Sequence, residues 1–88
     1  MNIRVTADDI ISGQRGSFTH CPIGLALSKM LGIQASVSVY GIFIYGQAWD
    51  LPKEARHFIQ QFDTGERVFP IAFNIAPVAY YEASIGED

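Results

Sequence analysis

With 88 residues, 49% of them hydrophobic and 17% charged, the chain is long enough for one domain that buries roughly 60% of its unfolded surface, and too apolar to stay disordered. Its formal net charge of −3, from six Lys plus Arg against nine Asp plus Glu, argues against nonspecific nucleic-acid binding, which needs a basic face to displace counterions. The single cysteine excludes an internal disulfide.

Met1-Asn2-Ile3-Arg4-Val5 lacks the charged start and apolar core of a signal peptide, and every apolar run falls short of the roughly 20 residues of a membrane helix. A cytoplasmic protein without a membrane partner is therefore expected. Ile3 to Val5 reads as a short strand. Thr6, with Asp9 three residues on, forms a capping box for one helical turn that Gly13 ends. Pro22 fits the first position of a second helix, in which Ile23, Ala26, Leu27 and Met30 recur at helical spacing until Gly32. Leu25 and Leu31 widen that stripe, so this helix is either sandwiched in the core or half buried against another subunit. Together with the low charge, it points to a homo-oligomer.

From Ala35 to Tyr45 the residues are β-branched and aromatic with Gly41 between them, which predicts two strands of a hairpin or one long strand bent at Gly41. Trp49-Asp50-Leu51-Pro52 introduces a helix with Ala55, Phe58, Ile59 and Phe62 on one stripe, ended by Gly65. Val68 to Ile75 alternates as a strand, with Phe69, Ile71, Phe73 and Ile75 on one side and Pro70 confining it to an edge or to its first residues. The order βαββαβ predicts an α+β domain over residues 1–76, a sandwich with an antiparallel or mixed sheet and two helices on one face, compatible with a ferredoxin-like arrangement. Residues 77–88 read as a C-terminal tail that packs only in part.

The run Ser12-Gly13-Gln14-Arg15-Gly16-Ser17-Phe18-Thr19-His20-Cys21-Pro22 carries the most chemistry. A glycine-punctuated loop enters a helix start, where unpaired N–H groups and the macrodipole favour an anion, and Arg15 adds a planar donor fork. Arg15, Ser17, Thr19 and His20 are thus candidate phosphate contacts; in the plainer reading they form a solvated loop whose hydroxyl caps the helix. Neither a Walker A loop nor a dinucleotide fingerprint is present. Tyr40, Tyr45 and Trp49 are candidates to stack on a base or anchor a protein interface, or else pack on the sheet. Cys21 is either a nucleophile with His20 or His57 as base, or a small buried residue near the cap. One Cys and two His have no recognisable metal spacing, and no cofactor is expected.

Cys21-Pro22-Ile23-Gly24-Leu25-Ala26-Leu27, with Val5-Thr6-Ala7-Asp8-Asp9-Ile10 before it and Trp49-Asp50-Leu51-Pro52 and Phe58-Ile59-Gln60-Gln61-Phe62-Asp63-Thr64-Gly65 after it, resembles small uncharacterised phage and prophage accessory proteins. The resemblance implies a noncatalytic protein that antagonises a host defence by binding either a signalling nucleotide or a host defence protein. The favoured mechanism is sequestration of a phosphate-bearing nucleotide signal, using Arg15 and the helix start, with a tyrosine or Trp49 against the base. A protein-directed inhibitor of the anti-CRISPR kind would use acidic and aromatic surface, and a small cysteine-dependent enzyme is the third expectation.

Overall fold

The computed structural model describes residues 1–78. Strand β1 (Asn2–Val5) is followed by helix α1 (Ala7–Ser12), helix α2 (Pro22–Leu31), strands β2 (Ser36–Ser38), β3 (Gly41–Ile44) and β4 (Gln47–Trp49), helix α3 (Lys53–Asp63) and strand β5 (Ile71–Asn74). The α+β class expected from the sequence is the one observed.

Local chemistry accounts for most of these boundaries. Thr6 Oγ1 accepts from the Asp9 N–H while Asp9 Oδ2 accepts from the Thr6 N–H at 2.8 Å, so the capping box forms with aspartate in place of the longer glutamate. Pro22 opens α2, and Gly32 closes it in the left-handed region with its N–H on the Ser28 carbonyl. In α3 the predicted stripe buries Ala55, Phe58 and Ile59, and Phe62 is half-buried.

The sheet differs from a single layer. β1 pairs antiparallel with β5, Val5 opposite Ile71, and β2, β3 and β4 form a separate antiparallel meander. The pairings between named strands are all antiparallel, so the parallel pair of a ferredoxin-like sheet is not among them. Residues 75–78 join the two sheets: the Ile75 N–H donates to the Met1 carbonyl, the Asp50 N–H donates to the Ala76 carbonyl, and the Val78 N–H donates to the Ala48 carbonyl. The expected tail otherwise lies outside the described residues.

Three local expectations are refined. The stretch from Ala35 to Tyr45 is a hairpin turning at Val39 and Tyr40, and Gly41 begins β3. The next strand, β4, went unread because Gln47-Ala48-Trp49 is short and lacks an apolar alternation. Strand pairing in the last segment starts only at Ile71, because its partner Val5 is the last residue of β1 before Thr6 caps α1. Consequently Phe73 and Ile75 are buried while Phe69 stays 67% exposed.

One core unites the elements: Ile3 and Val5 of β1, Ile23 and Leu27 of α2, Ile42 and Ile44 of β3, Phe58 of α3 and Phe73 of β5. Among the described residues no helix is long and apolar enough to cross a membrane.

Candidate functional site

The glycine loop before α2 is filled by its own chain. The Gln14 N–H donates to the His20 carbonyl at 2.8 Å, closing the loop, and the Val37 N–H on β2 donates to the Phe18 carbonyl at 2.6 Å. Gly16 sits at φ 71°, a conformation that favours glycine, and its N–H donates to Asp63 Oδ1 of α3 at 2.9 Å. The anion held by this loop is therefore the protein's own carboxylate. The start of α2 is occupied as well. Cys21 Sγ accepts from the Gly24 N–H at 3.4 Å, and a Cβ on Gly24 would lie 2.5 Å from the Thr19 carbonyl oxygen, so the loop backbone is pressed against the first turn.

The seven residues expected to bind ligand fall in separate places. Ser17 and Tyr40 line a pocket of about 220 Å3 together with Cys21 and Asp63. Ser17 Oγ accepts from the His20 N–H at 2.9 Å, and the Thr19 hydroxyl lies 2.8 Å from His20 Nδ1. Arg15 extends over Gly65, where a Cβ would come within 3.5 Å of its guanidinium, and it makes no ion pair among the described residues. Tyr40 and Tyr45 occupy turns at opposite ends of β3, about 16 Å apart at the rise of an extended strand. They cannot stack on one base. Trp49 faces Pro77 in an antiparallel bridge, and its buried indole N–H finds no acceptor among the described residues.

Cys21 is 4% exposed, and burial pushes its thiol pKa up, an effect only partly offset by nearby backbone N–H groups. A thiol held protonated is a poor nucleophile. Among the described residues no cluster of three His, Cys, Asp or Glu side chains is placed to hold a metal ion.

A larger concavity, about 670 Å3, lies between α3 and the extended segment that leads into β5. Phe58, Val68 and Ile71 give it an apolar floor, and Phe69 and Pro70 form an exposed apolar wall. Lys53, His57 and Arg67 stand around it, with Glu54 the carboxylate among its lining residues. The Arg67 guanidinium lies 5.8 Å from the Phe69 ring centroid, within range of a cation–π contact. Sequence reasoning placed Phe69 on one side of a strand with Ile71, Phe73 and Ile75 and so missed this cleft. No signal near Phe69 gave this away, since the pairing stops at Ile71 because the partner strand turns into α1 after Val5.

No family model matches the chain, and no match to a curated protein or a solved structure was found.

Proposed function

We propose that this chain is a noncatalytic binding protein of the phage accessory type, which antagonises a host defence in the host cytoplasm by engaging a protein through the cleft between α3 and residues 67–71. The observation that carries this reading is the cleft itself. An apolar floor of the buried Phe58 and the partly buried Val68 and Ile71, beside an exposed aromatic and an arginine, is the composition of an interface anchor site. Nucleotide sequestration through Arg15 is the competing reading. Against it, the Asp63 carboxylate already takes the Gly16 N–H and lines the pocket shared by Ser17 and Tyr40, where it would repel a phosphate. Noncatalytic action agrees with the protonated, buried thiol of Cys21. Self-association of the chain belongs to the same proposal.

The test is phage plaquing on defence-proficient cells that express the protein. Phe69→Asp should weaken partner engagement about 30-fold or more, the loss typical of an interface hot spot, and abolish protection. Arg15→Ala should leave protection intact. The reverse pattern, with a calorimetric titration showing cyclic nucleotide bound by the wild type and lost in Arg15→Ala, would establish the sponge mechanism instead. An unprotected wild type would reject counter-defence altogether.

A further inference from the structure

Among the described residues, β5 is paired along one edge only over residues 71–74. Met1 and Ile75 exchange both backbone hydrogen bonds: the Met1 ammonium donates to the Ile75 carbonyl, and the Ile75 N–H donates to the Met1 carbonyl, each at 2.8 Å. Exchanging pairs recur at every second residue of an antiparallel ladder, so Phe73 with Ile3 and Ile71 with Val5 are the others in this register. The N–H and C=O groups of Ala72 and Asn74 therefore point to the opposite edge. Farther along, that same edge is used: the Asp50 N–H donates to the Ala76 carbonyl at 2.8 Å, and the Val78 N–H donates to the Ala48 carbonyl at 2.9 Å. After Trp49 the chain leaves the edge through Leu51 and Pro52 and enters α3. Ala72 and Asn74 are exposed, and their backbone groups have no partner among the described residues.

We infer that this open edge receives an extended, acidic segment of the protein partner, added as a strand opposite Ala72 and Asn74 with alternate apolar side chains seated in the α3 cleft. The inference rests on the cleft being the protein-binding surface. Strand addition supplies main-chain hydrogen bonds from the edge and side-chain selection from an adjoining pocket. Both elements lie next to each other here, since the cleft wall runs from Arg67 to Ile71 directly into the edge. The preference for acidic residues comes from charge. Although the chain as a whole carries −3, Lys53 and Arg67 outnumber Glu54 among the charged side chains that line this cleft.

The probe is an N-acetylated, C-amidated seven-residue peptide alternating valine and aspartate, titrated into isotope-labelled protein. Binding should shift the Ala72 and Asn74 amide resonances and slow their hydrogen exchange. Ala72→Pro should weaken it about tenfold or more, because proline removes an outward N–H and blocks the edge while sparing the ladder with β1. A lysine-for-aspartate peptide should bind more weakly than the acidic one. Absence of binding to the wild type, binding that leaves both amides unmoved, or equal affinity for Ala72→Pro would overturn the proposal. Protection of those amides that rises with protein concentration without peptide would also overturn it, by assigning the edge to a second copy. If Ala72→Pro unfolds, the amide shifts of the wild type decide. Plaquing separates the two levels: protection lost in Phe69→Asp but kept in Ala72→Pro removes the strand inference alone, whereas protection kept in both removes the cleft reading too.

Discussion

Tyr45 is the one described non-glycine residue with positive φ, at 51°, and Gly46 follows at 78°. With Ile44 paired to Gln47, these two residues form the loop of the β3–β4 hairpin, and positive φ at both positions makes it a type I′ turn, which matches the twist of the strands it connects. Tyrosine is a poor choice there. Its Cβ crowds the following carbonyl, and the ring, 85% exposed, recovers little by packing. Tyr45→Asn should stabilise the protein by about 0.5–1 kcal/mol, raising the melting temperature by a few degrees. A lower melting temperature would show that the ring makes a contact worth more than the backbone strain. Ligand binding unaffected by the substitution would also remove Tyr45 from the stacking residues expected from the sequence.

At the scale of elements, a helix of six residues needs an anchor, and α1 has one in Asp9. This carboxylate is 2% exposed; it accepts from the Thr6 N–H and hydroxyl and meets Lys29 Nζ of α2 at 2.6 Å. Burial, the largest influence, pushes its pKa up, but the hydrogen bonds from Lys29 and Thr6 and the Lys29 charge together hold it below the ordinary 3.8. The folded state thus prefers the ionised form. Its stabilisation is present above pH 3.8 and is lost as the pH falls through the lower folded-state value. Asp9→Asn should cost about 1.5–3 kcal/mol at neutral pH, and the gap to wild type should narrow in acid. Urea unfolding of both proteins at neutral pH and near pH 2.5 measures this; a gap of equal size at the two values would exclude the charged pair as its source.

For the whole molecule, apolar side chains remain outside the core. Ile11 is 80% exposed, and Met30, expected on the inward stripe of α2 with Ile23, Ala26 and Leu27, is 46% exposed near the end of that helix. Association by this chain, proposed above, should appear in sedimentation at about 100 μM as a dimer or larger species, with a melting temperature that rises with concentration. A monomer with concentration-independent melting would reject it. The Ala72→Pro substitution separates this association from strand addition, since a dimer formed through α1 and α2 leaves the β5 edge untouched.

What was legible in the sequence is what depends on neighbours in the chain. The Thr6–Asp9 box, Pro22 at a helix start, Gly32 at its end and the apolar stripe of α3 each act within one or two turns, and each forms as read. The α+β class follows from the same local periodicities. Nothing local revealed that Asp63, forty-seven residues from Gly16, would take the loop N–H that a phosphate needs. The division into two sheets and the cleft beside Phe69 were equally hidden. They arise from pairing between segments far apart in the chain, Met1 with Ile75, and from a ladder that stops where the distant partner strand turns into α1 after Val5. Periodicity states which face of a strand is apolar; only the packed chain decides which edge of it is left without a neighbour.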